Sequence, residues 1–295
     1  MIHILDLKFK GLPHVIAAFL VETSDGPVLI ETGPYSTYTT LVAEIERVGY
    51  KVEEVQNVLL SHIHFDHAGA SWALAEHGAK VFLHPFGYKH MLDPSKLVSS
   101  ATRIYGDEMD TLWGALNPIP NDHLVVCDHG QEIIIGGQKF TAWYTPGHAR
   151  HHIAWQLEDV MFTGDVGGIK IEGGLIVPPC PPPDIHLEDW NNSIELIRNS
   201  PVNTLYLTHF GKIEDKTSHL DKLNYILNDW AQWMKPHAEA NSMIEEVTPQ
   251  FELYVANQLK SFGLSGQAIA QYEAANPSWM SVSGLMRYWS KKLQS

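Results

Sequence analysis

Four side chains able to bind a metal ion fall within six residues. They are His62, His64, Asp66 and His67 in the run Ser61-His62-Ile63-His64-Phe65-Asp66-His67-Ala68-Gly69. The run follows Val58-Leu59-Leu60, an apolar stretch that reads as a short buried strand. On extended chain His62 and His64 point the same way, because side chains repeat every second residue. A turn after them brings Asp66 and His67 back from another direction, so the segment offers one pair of ligands to each of two adjacent metals. Neutral imidazole and carboxylate suit zinc, and also iron or manganese. Gly69 admits close approach of backbone to the site. A lone His-x-His is weak evidence, and an excess of histidine (17 in 295 residues) is weaker still. The full spacing after an apolar strand is a much stronger signal.

The rest of the chain alternates between strand and helix periodicity. Residues 2–9, 14–22 and 27–31 read as strands, with Ser24-Asp25-Gly26 as the turn of a hairpin between the last two. Residues 39–48 repeat apolar side chains at helical spacing and stop at Gly49. Residues 70–77 look helical, 80–83 extended, and 85–117 like an insertion of helix and loop. Strand patterns return at 123–128, 131–135, 139–144, 153–157 and 160–163. A helix at 189–199 and a strand at 204–207 follow. Two successive sets of strands interleaved with helices predict two sheets sandwiched between helices. From about residue 219 onward no strand pattern is visible. Leu220, Leu223, Leu227, Trp230 and Met234 form a stripe at helical spacing. Thr248-Pro249 reads as an N-cap with proline at the first helical position. Ser265 reads as the cap of another helix that Asn276-Pro277 ends, and residues 282–289 as a last one. The partition is a domain over 1–215 and a helical extension over 216–295 packed on it, a candidate lid or dimer surface.

The segment at 61–69 resembles the signature of the metallo-β-lactamase superfamily. Three further motifs of that family stand in its order, each at the end of a strand: Thr145-Pro146-Gly147-His148, Thr163-Gly164-Asp165 and Leu207-Thr208-His209. The resemblance spans residues 2–211. It implies an α/β fold, the four-layer αββα sandwich, here with a helical C-terminal extension. It also implies a binuclear hydrolase. His62, His64 and His148 would bind one metal, and Asp66, His67 and His209 the other. Asp165 would bridge them, and a hydroxide between the metals would attack the substrate, with Asp66 orienting it or taking its proton. The metals would be two divalent ions, zinc first, with iron or manganese as alternatives. Where the family often has Asp-Thr-Gly after its third strand, this chain has Glu31-Thr32-Gly33. The longer carboxylate is expected to support the ligand loop by a shifted route.

Among the remaining histidines, His152 is expected to make a structural hydrogen bond and His84 to line the cleft. His77, His90, His123, His129, His186, His219 and His237 are expected at the surface or in loops. Tyr35 and Phe210 are candidates for touching substrate. A GxSxG elbow, a GxxxxGK loop and a GxGxxG turn are all missing from the sequence, which disfavours a serine nucleophile.

Within the superfamily the site must decide the reaction. The complete seven-residue set favours two metals and hydrolysis of a small ester, thioester or lactone. The alternatives are an iron-dependent oxidoreductase like the persulfide dioxygenases, and a phosphodiesterase. Flavodiiron proteins carry glutamate at the place of His64. Lactonases carry a tyrosine shortly after the bridging aspartate, where this chain has Val166-Gly167-Gly168. The tail is helical, as in glyoxalase II, but its basic positions do not match. A formal net charge of −14 speaks against a nucleic-acid partner, since phosphate neutralisation supplies most of such affinity. Cys127 and Cys180 sit far apart outside any CxxC pattern and read as reduced thiols. With neither a secretory h-region nor a membrane span in the pattern, the expectation is a cytoplasmic protein with a small-molecule substrate, no membrane partner, and a homodimer as an open option.

Overall fold

A computed structural model describes residues 1–294. In chain order the elements are β1 Ile2–Asp6, β2 Ala17–Val21, β3 Val28–Ile30, α1 Tyr38–Arg47, β4 Asn57–Leu59, α2 Phe65–Ala68, α3 Ser71–Glu76, β5 Lys80–Leu83, α4 Pro85–Leu92, α5 Ser95–Tyr105, α6 Met109–Leu112, β6 Leu124–Val126, β7 Glu132–Ile135, β8 Gln138–Tyr144, β9 Ile153–Leu157, β10 Val160–Phe162, α7 Leu187–Asn199, β11 Thr204–Leu207 and β12 Gly211–Ile213. Four helices follow: α8 Lys216–Glu239, α9 Ile244–Ser261, α10 Gly266–Ala275 and α11 Ser278–Gln294.

The strands form two six-stranded sheets, in the orders β1-β2-β3-β4-β5-β6 and β12-β11-β10-β9-β8-β7. β2 explains the layering. All five of its residues are buried, and alternation sends them to opposite faces. Ala17, Phe19 and Val21 join Phe140, Trp155 and Phe162 between the sheets. Ala18 and Leu20 join Leu41 and Ile45 of α1 on the outer face. A third cluster joins β10 and β11 to α7 and the tail helices, through Met161, Leu205, Ile194, Leu227 and Trp289. Helices, sheet, sheet and helices thus stack in four layers, as the interleaved pattern predicted.

Three local expectations change. Helix α9 begins at Ile244 with Met243 as N-cap and carries Pro249 inside it. The Thr248 hydroxyl donates instead to Ile244 O one turn back, at 2.8 Å, so Thr248 caps nothing. Phe251, Val255 and Leu259 bury one long stripe of this helix, and that packing outweighs the missing proline N–H. Ser265 does stand at the N-cap of α10, but its side chain makes no capping bond. His219 is buried within α8 rather than exposed. Among the described residues no helix is long and apolar enough to cross a membrane.

Candidate metal centre

β8 and β10 both pair antiparallel with β9, and β10 pairs parallel with β11. The carboxyl ends of β8, β10 and β11 therefore lie at one rim of the second sheet. His148 follows β8, Asp165 follows β10 and His209 follows β11. The first sheet delivers the rest at the end of β4, where Ile153 N–H donates to Ser61 O at 2.7 Å and ties the two rims together. All seven expected residues meet there in two groups: His62, His64, His148 and Asp165, and Asp66, His67, Asp165 and His209. Within each group the donor atoms lie within 4.8 Å of one another. Asp165 belongs to both, which gives it the shared position.

In the first group His64 Nδ1 lies 2.9 Å from His62 Nε2 and 3.0 Å from His148 Nε2. His148 Nε2 is 3.2 Å from Asp165 Oδ2. In the second, His67 Nε2 and His209 Nε2 lie 3.1 and 3.3 Å from Asp165 Oδ1, and 3.6 and 3.5 Å from Asp66 Oδ2. His67 Nε2, His209 Nε2 and Asp165 Oδ1 are buried and have no hydrogen-bond partner. Buried orphans of this kind are costly, and three converging on one point fit a bound cation.

The far sides of the rings are anchored. His148 Nδ1–H donates to Pro179 O at 2.8 Å and His209 Nδ1–H to Val15 O at 2.6 Å. Each bond fixes the tautomer that leaves an Nε2 lone pair facing inward. His62 Nδ1 is 2.9 Å from Ser61 Oγ. His67 Nδ1 is 3.2 Å from Glu31 Oε1, and Ser61 N–H donates to Glu31 Oε2 at 3.3 Å. Glu31 therefore supports the ligand loop, as expected of the longer carboxylate. Gly164 has φ +49°, and a Cβ there would lie 2.6 Å from Ser61 Oγ. At Gly147, φ is +135° and a Cβ would stand 2.3 Å from Trp190 Cα. Both motif glycines thus hold places that no side chain fits.

Burial pushes the imidazolium forms of His62 and His148 down, and lowers His64 to about 4 with help from His148. All three are neutral near pH 7, the state that binds a metal. In the second group burial alone would raise the two carboxyls, but the histidines outweigh it. His67, His148 and His209 hold Asp165 well below the usual range. His67 and His209 bring Asp66 to about 2. Burial opposes a proton on His209, yet Asp165 raises it to about 9. The two carboxylates hold protons on His67 and His209, positive charge that a divalent cation at the same place would replace.

The other histidines divide as their surroundings dictate. His152 Nδ1–H donates to Thr145 Oγ1 at 2.8 Å while Val166 N–H reaches Nε2 at 3.4 Å. It fastens the Asp165 turn to the His148 loop, the structural role expected of it. His84 does not line the cleft: its Nδ1 accepts from Phe86 N–H at 3.1 Å and caps α4. Tyr35 stacks on Tyr38 and tilts onto Trp72, and Phe210 packs against His14. Neither is on the cleft wall.

That wall holds the residues the sequence did not reveal. A cavity of about 390 Å³ opens beside His64, Asp66, Asp165 and His209. Phe9, Tyr105, Trp113, Trp279 and Met280 also line it. Trp279 and Met280 belong to α11, so the C-terminal extension forms part of the cleft. Nothing in the spacing of these aromatics separates them from core residues.

The sequence model of the metallo-beta-lactamase superfamily matches residues 11–209. A metallo-beta-lactamase fold-containing protein of Sulfurisphaera tokodaii is 31% identical over 153 residues, 49% of this chain and 58% of that protein. The chain thus spans well under two thirds of that relative. A protein of Methanocaldococcus jannaschii named a probable metallo-hydrolase is 27% identical over 71% of this chain and 94% of its own length. An N-acyl homoserine lactonase of Bacillus cereus is 24% identical over 48% of this chain and 57% of that enzyme. Among solved structures, a metallo-beta-lactamase family protein of Thermus thermophilus covers 99% of this chain and 93% of its own, with a TM-score of 0.71 at 18% identity. Motifs, layered fold, converged donors and family match agree: the chain belongs to the metallo-β-lactamase superfamily.

Proposed function

We propose that this chain is a two-metal hydrolase of small carboxylic esters, thioesters or lactones. The carrying observation is the pair of four-residue donor groups sharing Asp165 at one end of the apolar cleft. His62, His64 and His148 would hold one ion, and Asp66, His67 and His209 the other, with Asp165 between them. Nitrogen and oxygen donors suit zinc first, then iron or manganese. Two cations bound there would supply acidified water and electron withdrawal from the scissile carbonyl. The remaining work falls to side chains. Asp66 is partly exposed to the cleft and is placed to orient water and accept its proton. His148 and His209 are held by backbone carbonyls and keep the donors in register through the reaction. The lactonase of Bacillus cereus among the relatives supports the ester and lactone class. The net charge of −14 supports a small molecule over nucleic acid, and the proposed setting is the cytoplasm.

The test is metal content per chain in protein purified without added metal, with turnover of an ester and lactone panel. About two metals and metal-dependent hydrolysis are expected. A single iron with no hydrolysis, but with oxygen consumption on a persulfide, would overturn the reading in favour of an oxidoreductase. Preference for bis-p-nitrophenyl phosphate over every carboxyl ester would overturn it in favour of a phosphodiesterase.

A further inference from the structure

We infer that the substrate carries a bulky apolar group, of about six carbons or more, seated in a box beside the donor cluster. This deepens the hydrolase reading and rests on it. The box is part of the 390 Å³ cavity, a volume within the range of about 300–1,000 Å³ typical of small-molecule sites. Leu97, Ile104 and Tyr105 of α5, Trp113 after α6, and Trp279 and Met280 of α11 wall it. The aromatic part is one connected wall: Tyr105 meets Trp113 edge-on at 5.2 Å and Trp279 at 6.0 Å.

Outside the donor cluster the charged side chains on the lining are Lys10, Glu108 and Glu273. Lys10 and Glu108 are exposed. Glu273 is committed elsewhere, accepting from Ser278 N–H at 2.8 Å and Ser278 Oγ–H at 2.7 Å at the start of α11. The box therefore offers a ligand apolar contact and few polar anchors. A substrate small and polar throughout would leave this wall facing water. Ile104 is 46% exposed although it stands on the cavity lining, so a large apolar side chain there has no partner equal to its size. An alkyl or ring group attached to the scissile ester supplies one. Each methylene moved fully from water into such a wall strengthens binding about fourfold.

The experiment uses the full chain loaded with zinc, and follows methyl acetate, methyl butyrate, methyl octanoate and octyl acetate by pH-stat titration. Either octanoate or octyl acetate is expected to exceed methyl acetate in kcat/KM by at least about thirtyfold, mostly through KM. Which of the two gains shows whether the box takes the acyl or the alcohol side. Ile104→Glu, at a half-open position that tolerates a charge, is expected to remove most of that gain, as is Trp279→Ala. Binding is read separately, from tryptophan fluorescence during titration with octanoate and with acetate. Octanoate binding that Ile104→Glu abolishes supports the box even where no ester is hydrolysed, in which case the hydrolase reading alone falls. Turnover of methyl acetate with no dependence on chain length, and no preference for octanoate, overturns the box and leaves the hydrolase reading standing.

Discussion

Two residues carry sharply different loads at the donor cluster. Asp165 touches both groups, through Oδ2 to His148 and Oδ1 to His67 and His209. Asp165→Ala is expected to lower metal retention at both positions and remove most hydrolysis; near-normal turnover in a folded Asp165→Ala protein would sink the shared position. Glu31 pairs with His67 and accepts from the Ser61 amide. Glu31→Gln keeps the size and loses the charge that orients His67. Metal affinity of the second position is expected to fall about 10–100-fold, with content dropping toward one ion per chain. Unchanged stoichiometry under chelator competition would mean that the carboxylate is dispensable. The seven candidate donors were legible in the sequence in two ways: His62, His64, Asp66 and His67 by their spacing after an apolar strand, and His148, Asp165 and His209 by their likeness to the family's motifs. Ser61, Val15 and Pro179 were not. A backbone carbonyl has no identity to read, and its service to a ring 194 residues away exists only in the fold.

At the scale of elements, the tail is fastened to the Asp165 turn by one buried histidine. His219 of α8 donates Nε2–H to Gly167 O at 2.7 Å. Burial lowers its proton affinity to about 4 from an ordinary 6.5. Below pH 6.5 the unfolded chain takes up a proton that the fold refuses until about 4. The stabilisation is thus complete above 6.5 and lost as pH falls toward 4, by about 3 kcal/mol in full. Metal-free wild type is expected to lose about that much more stability than His219→Gln between pH 7 and 4, read from urea midpoints. Equal slopes would place His219 outside the acid transition. Helical spacing showed the apolar stripe of α8 but gave no sign of this bond, because a histidine beside a stripe looks the same whether it faces water or a carbonyl. The proline within α9 is the converse case: a strong local signal at Thr248-Pro249 yielded to a longer buried face.

At the scale of the whole molecule, the packing of the second sheet continues into the C-terminal helices. The boundary between 215 and 216 falls at the cap of α8, yet the apolar cluster runs across it, from Trp190, Ile194 and Leu205 to Leu223, Leu227 and Trp289. The tail also packs on the loop that anchors one candidate ligand. A Cβ on Gly284 of α11 would lie 1.9 Å from Cys180 O, so that helix presses on the loop whose Pro179 carbonyl holds His148. Residues 1–215 alone are expected to aggregate or to lack fixed tertiary packing, checked by soluble yield and near-ultraviolet circular dichroism. A monomeric fragment that unfolds cooperatively and still retains metal would show that the tail is dispensable.

By itself the sequence determined the layers and placed a candidate set of metal donors at the strand ends. Strand and helix periods are local properties, and a metal-ligand motif is a local cluster of side chains. Only the tertiary structure decided what surrounds that chemistry. The anchoring carbonyls, the wall of Tyr105, Trp113 and Trp279, and the burial of His219 each join segments far apart in the chain. Their side chains are ordinary core types, and it is the packing of the insertion and the tail against the sheet rim that turns them into a cleft.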